Sequence, residues 1–146
     1  MTLQDILRNK GSKVCTIEAQ ATLTEVAQVL ARHNIGSLVV CEPAGPVGER
    51  LLGIITERDM LRAWARNPMA LHQLKVADVM VRDLVTVLPT DSVEETMGVM
   101  TDRRIRHLPV VDNGHLVGMI SIGDVVKAQH DSLTMENHYL KNYIHG

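Results

Sequence analysis

Two short segments carry the residue types from which a binding site can be built. They are Gly53-Ile54-Ile55-Thr56-Glu57-Arg58-Asp59 and Gly118-Met119-Ile120-Ser121-Ile122-Gly123-Asp124. In each, a glycine and two apolar residues precede a hydroxyl residue, with Asp three positions later. The apolar run reads as the end of a strand, and Thr56 or Ser121 as the N-cap of a helix that leaves it directly. One reading is local: cap hydroxyl and Asp exchange hydrogen bonds with the first helical turn, a capping box. The other is a ligand site. A helix start presents unpaired N–H groups and the positive end of a dipole, which suits a phosphate, and the hydroxyl adds a donor. Asp59 or Asp124 can accept two hydrogen bonds from a vicinal diol such as that of ribose. Gly123 lets a ligand approach the backbone closely, and Ile55, Ile120 and Val87 offer apolar walls to a purine.

The basic residues fall near these motifs. Arg103-Arg104-Ile105-Arg106-His107 is the densest positive stretch, and Arg58 lies inside the first motif. Arg103 and Arg104 read as a solvated helix end, where positive charge is favourable. Arg106 and His107 stand just before a strand, and a guanidinium fork there can hold phosphate oxygens bidentately. The matching positions of the first motif's copy are Gly36 and Ser37, so unequal affinities are expected.

The elements that must position these residues come in two copies. Thr16-Ile17 matches Thr86-Val87, Thr22 matches Ser92, Ile35 matches Ile105, and Val40 matches Val110. After the Glu42-Pro43-Ala44-Gly45-Pro46 insertion, Gly53 matches Gly118 and Asp59 matches Asp124. The lead-ins agree too, Leu3-Gln4-Asp5-Ile6-Leu7 with Val76-Ala77-Asp78-Val79-Met80. Each copy reads as a short strand and then a helix capped by Thr22 or Ser92, with Glu25 or Glu95 closing a capping box. Two short apolar strands follow, then a second helix. Asp112-Asn113-Gly114 supplies a hairpin turn in the second copy, and the Pro/Gly-rich insertion does so in the first. Val26, Val29, Leu30, Met97 and Met100 recur at the spacing of a buried helix face. The fold class is α/β, two β-α-β-β-α repeats packed as a pseudo-twofold pair, because one copy alone leaves an apolar sheet face uncovered. Repeat one with its lead-in spans 1–68, repeat two with its linker 69–130, and a helical tail 131–146. In the tail, Leu133, Tyr139, Leu140, Tyr143 and Ile144 suggest an amphipathic helix.

Composition narrows the function. The 146 residues carry a net charge of −2, and aromatics are 2% with no Phe. That balance does not supply the basic face nucleic acid demands, nor a stacking platform for single strands. A small basic pocket for one phosphate remains compatible with it. Cys15 and Cys41 form no CxxC motif and read as reduced thiols. No apolar run reaches the ~18 residues needed to cross a bilayer, and Met1 to Lys10 lacks the apolar core of a secretory signal. A soluble cytoplasmic protein is expected. His130, His138 and His145 lack the i, i+4 spacing of a helical metal pair, and no metal is expected.

The paired layout, the doubled G-h-h-[TS]-x-x-D motif (h, apolar) and the run Arg106-His107-Leu108-Pro109-Val110-Val111-Asp112 resemble the CBS domain family over residues 3–130. The resemblance implies an adenosine ligand (AMP, ADP, ATP or NAD(H)) in inter-repeat clefts, a disc-like homodimer, and allosteric signalling to an unidentified partner protein. By position it implies that Asp59 and Asp124 hold ribose and that Thr56 and Ser121 hold phosphate. Arg58, Arg106 and His107 would add phosphate contacts. Thr16, Ile17, Thr86 and Val87 would flank the base, with Leu108 and Pro109 beside them. Against catalysis stand the absence of a carboxylate cluster for magnesium and of a His partner for either cysteine. A nucleotide-hydrolysing enzyme and a redox-linked regulator, with Cys15 beside the base, are the competing readings.

Overall fold

Each copy's first helix begins where a hydroxyl side chain takes over a backbone donor. The computed structural model describes residues 1–11, 13–43 and 48–145, and their side chains except at 139 and 142–145. Thr22 Oγ1 accepts from the Glu25 amide at 3.2 Å and Ser92 Oγ from the Glu95 amide at 3.0 Å, opening α2 (Leu23–His33) and α6 (Val93–Arg103). Only this hydroxyl half of the expected capping boxes is made. Both helices end at matching left-handed residues, Asn34 (φ 52°) and Arg104 (φ 55°). Arg104 thus serves the chain as an exposed helix stop.

The remaining elements, in chain order, are α1 (Leu3–Lys10), β1 (Thr16–Ile17), β2 (Ser37–Pro43), β3 (Glu49–Thr56), α3 (Glu57–Arg66), α4 (Ala70–Gln73), α5 (Val76–Val79), β4 (His107–Asp112), β5 (His115–Ser121) and α7 (Ile122–His145). The chain is α/β, with two repeats of the expected layout. It divides into two compact units whose composition crosses the repeats. Lys13–Val85 and Asn113–Leu116 form one, here the Asp59 unit; Met1–Ser12, Thr86–Asp112 and Val117–Gly146 form the other, the Asp124 unit. Each lead-in therefore packs with the strands of the other copy: α1 with copy two, α5 with copy one.

In the Asp59 unit, β1 runs parallel to β2 (Thr16↔Val39) and β2 antiparallel to β3 (Ser37↔Thr56). Leu23, Val26, Leu30, Leu38, Val40, Ile55, Val76 and Met80 share one core. In the Asp124 unit, β4 lies beside β5. The expected strand at Val85-Thr86-Val87 shrinks to one parallel bridge, Val87↔Val110. Asn113 (φ 51°) and Gly114 (φ 81°) make the hairpin turn with both central residues left-handed, as a type I′ turn requires. The insertion at 44–46 lies outside the described residues, as do the side chains of Tyr139, Tyr143 and Ile144. The start of the linker expected within 69–130 is helical, since α4 begins at Ala70. The tail is continuous with the second helix of copy two, since α7 runs unbroken from Ile122 to His145.

The glycine that opens each motif is explained by these crossed lead-ins. A Cβ on Gly53 would stand 2.6 Å from the Val81 carbonyl oxygen, and one on Gly118 would stand 2.7 Å from Leu7 Cδ2. Neither glycine has a positive φ. What both positions require is space for a lead-in.

Candidate functional site

At the start of α3, the extended Thr56 (φ −119°) turns β3 into the helix. Its amide and hydroxyl both donate to Asp59 Oδ2, at 2.9 and 3.0 Å, and the Asp59 amide donates back to Thr56 Oγ1 at 3.2 Å. The Glu57 amide is taken by the Gly36 carbonyl at 3.0 Å. The start of α7 repeats the plan. The Ser121 amide donates to Asp124 Oδ2 at 2.9 Å, the Asp124 amide to Ser121 Oγ at 3.1 Å, and the Ile122 amide to the Arg106 carbonyl at 2.8 Å. The local capping reading is therefore satisfied at both starts; the cap takes one of the first three helical amides and the Gly36 or Arg106 carbonyl another. The amides of Arg58 and Gly123 are the ones these bonds leave over for an anion. Beside Gly123 there is room, because a Cβ there would meet only Ser121 Oγ, at 3.7 Å.

Capping does not turn either carboxylate away from open space. Asp59 lines a cavity of about 320 Å³ with Arg62, Arg66, Asn67 and Asp78. Asp124 lines one of about 320 Å³ with Ile6, Asn9, Lys10, Lys127 and Asp131. Both volumes lie at the lower end of the range that takes small ligands.

One residue at the second start is absent from the sequence reading. Lys10 Nζ donates to Asp124 Oδ2 at 2.7 Å and to the Met119 carbonyl at 3.0 Å. In the other unit the carbonyl matching Met119 is that of Ile54, and it is satisfied by the Val81 amide at 2.9 Å. An ammonium on α1 thus does for copy two what a backbone amide does for copy one. Burial pushes the Asp124 carboxyl up, but the Lys10 hydrogen bond, with the amide and hydroxyl of Ser121, outweighs it and the net direction is down. His107 is exposed as a residue, yet partial desolvation is the largest cause lowering its imidazole below the usual value. The Lys10 charge adds to the fall, Asp124 opposes it, and Arg106 reinforces it.

The other expected site residues fall into two groups. Thr56, Asp59, Ser121 and Asp124 are half-buried, while Arg58, Thr86, Arg106, His107 and Gly123 are exposed, all compatible with contact to a ligand. Thr16 is half-buried on β1, two strands from β3. The apolar members differ from expectation. Ile55, Leu108 and Ile120 are 0% exposed, and Ile17, Val87 and Pro109 are buried. Their side chains belong to the core. Lys10 could not be found by matching motifs, since it lies 114 residues from Asp124 and beyond the stretch over which the lead-ins agree.

Comparison with known proteins agrees with this architecture. The CBS domain family matches residues 3–66 and 76–131. The chain belongs to the CBS domain family, and paired CBS domains are in general regulatory ligand-binding modules. It is 37% identical over 153 aligned positions to the CBS domain-containing protein CBSX3, mitochondrial, of Arabidopsis thaliana, covering 99% of this chain and 72% of that one. The crystal structure of the CBS-domain containing protein ATU1752 from Agrobacterium tumefaciens superposes with a TM-score of 0.78 at 39% identity, covering 88% of this chain and 92% of that one. The CBS domain pair of protein MJ0100, solved in complex with 5′-methylthioadenosine and S-adenosyl-L-methionine, gives a TM-score of 0.75 at 26% identity, over 90% and 98% of the two chains. No helix among the described residues is long and apolar enough to cross a membrane.

Proposed function

We propose that the chain is a non-catalytic sensor of adenosine nucleotides (AMP, ADP, ATP or NAD(H)) that passes the bound state to a partner protein, itself acting as a homodimer. The observation that carries this reading is the pair of aspartates, Asp59 and Asp124, each at a strand-to-helix junction and each lining a cavity. A carboxylate is the natural acceptor for the two hydroxyls of ribose. In both, Oδ2 is held by the cap, which fixes the group's orientation before a ligand arrives. In this reading Ser121, Gly123, Arg106 and His107 take the phosphate side of the ligand, and Thr56 and Arg58 the same places in the other unit, all six outside the linings of the two cavities themselves. The adenosine compounds in the MJ0100 complex support the ligand class.

Binding biases a two-state element only through a difference in affinity between its states, so the measurement is of affinity. Titration calorimetry with AMP, ADP, ATP, NAD and NADH should give binding to the wild-type chain. Asp124→Ala or Asp59→Ala should weaken it by about ten- to a hundredfold, the range for a hydrogen bond to a charged group. Unchanged affinity in both variants sinks the reading. Incubation with ATP and NAD, followed by chromatography, should return both intact; a hydrolysis product would make the chain an enzyme.

A further inference from the structure

The two helix starts share their capping chemistry and differ in charge. Around the start of α7 stand Lys10, bonded to Asp124, and Arg106 and His107. His107 senses the charges of Lys10, Arg106 and Asp124, so the four share one electrostatic neighbourhood. An ammonium has three donors; Lys10 commits one to Asp124 and one to Met119, leaving a third. Ser121 Oγ accepts from the Asp124 amide at 3.1 Å.

Around the start of α3 the surplus of positive charge is gone. The position matching Arg106 is Gly36, and the Glu57 carboxylate lies over it, Oε1 being 3.5 Å from where a Cβ would stand. Ser37 replaces His107. The Thr56 hydroxyl already donates to Asp59, and the Ile54 carbonyl has the Val81 amide in place of an ammonium. Arg58, the cation of that motif, lies between Glu57 and Asp59, and further along α3 Arg62 and Arg66 line the Asp59 cavity with Asp78, so cations and carboxylates there are even in number.

We propose that the two starts sort ligands by charge: Lys10 gives the α7 start a preference for phosphorylated adenosine nucleotides, and Glu57 gives the α3 start a preference for uncharged or cationic adenosine derivatives. This rests on the adenosine reading above. The free N–H of Lys10 donates to a phosphate oxygen, and the Glu57 carboxylate repels one.

The test is calorimetry on the full chain with three probes, AMP, adenosine and S-adenosylmethionine. Lys10→Met should weaken AMP about tenfold, the loss of one charge-assisted bond, and leave adenosine within about twofold. Glu57→Gln should strengthen AMP at the site that Asp59→Asn abolishes by about two- to fivefold, the scale of an exposed charge pair. Unchanged AMP affinity in Lys10→Met, or equal losses of AMP and adenosine, overturns the assignment of Lys10. If Lys10→Met does not fold, the exposed Glu57→Gln decides alone, and unchanged AMP affinity there overturns the sorting. If Asp59→Asn and Asp124→Asn both leave all three probes bound as before, the adenosine reading itself fails and takes the sorting with it.

Discussion

Replacing Gly53 by alanine tests whether the repeated glycine is a seat for the lead-in. The new Cβ would lie 2.6 Å from the Val81 carbonyl oxygen and 3.1 Å from Met80 Sδ. To reach even 3.0 Å the carbonyl must retreat by about 0.4 Å, and it is backbone, which cannot rotate aside. The same carbonyl accepts from the Ile54 amide at 3.0 Å, and the Val81 amide donates to Ile54 at 2.9 Å. Overpacking of this kind costs about 1–3 kcal/mol, and each strained backbone bond puts about 1 kcal/mol at risk. Removing a glycine from the unfolded chain returns about 0.4–1 kcal/mol. The net loss is about 2–3 kcal/mol, a fall in Tm of about 5–10 °C. Gly118→Ala meets only the tip of Leu7, with Cδ2 at 2.7 Å and Cδ1 at 2.9 Å, and a rotamer change relieves it at about 1 kcal/mol. Urea titrations followed by far-UV circular dichroism should place Gly53→Ala well below Gly118→Ala. Equal stabilities, or the reverse order, would refute the steric account.

Burial, with the Glu49 charge adding to it, pushes the Cys41 thiol up to about 11, so alkylation at mild pH should label Cys15 first and Cys41 only on unfolding; equal rates would contradict the burial of Cys41. His107 has a folded pKa below 6.5, so the folded state binds fewer protons than the unfolded one and loses stability as pH falls through and below that value. His107→Gln should therefore gain on wild type in urea titrations as pH drops from 7 to 5, and a constant difference would remove desolvation as the cause. Asp124 titrates below its ordinary 3.8, so the stability it contributes is present above that value and disappears as pH falls through the folded pKa. The stability gap between wild type and Lys10→Met should hold from pH 7 to 5 and close only as pH falls below 3.8; a gap that persists there would show that Lys10 acts through packing alone.

What could be read from the sequence was whatever lies within one element or between matched ones. Thr22 and Ser92 announce helix starts because capping needs only three residues of chain. Asn113-Gly114 announces a turn because few residues tolerate two successive positive φ angles. The motifs around Asp59 and Asp124 were visible for the same reason, including the capping bonds that both make. Contacts between distant segments were not visible. Lys10 reaches Asp124 through the packing of α1 on copy two, and nothing in the pattern of the lead-in distinguishes a lysine that snorkels into solvent from one that pairs. That Ile55, Ile120 and Val87 are buried could not be read from their types, because an apolar strand end looks the same in sequence whether a ligand or the protein core covers it.

The crossing of the lead-ins bears on how the molecule is made. The α1 segment is synthesised ahead of copy one, yet the groups that receive it, the carbonyls of Pro89 and Asp91, follow only after all of copy one. A helix of eight residues has little stability in isolation, so it must wait, unstructured, for seconds of elongation before it can dock. A chain released after copy one would carry an orphaned α1 and lack α5, the piece that closes its own strands. Neither repeat is a self-sufficient fragment, and a gene split between them would yield two halves that need each other to become soluble.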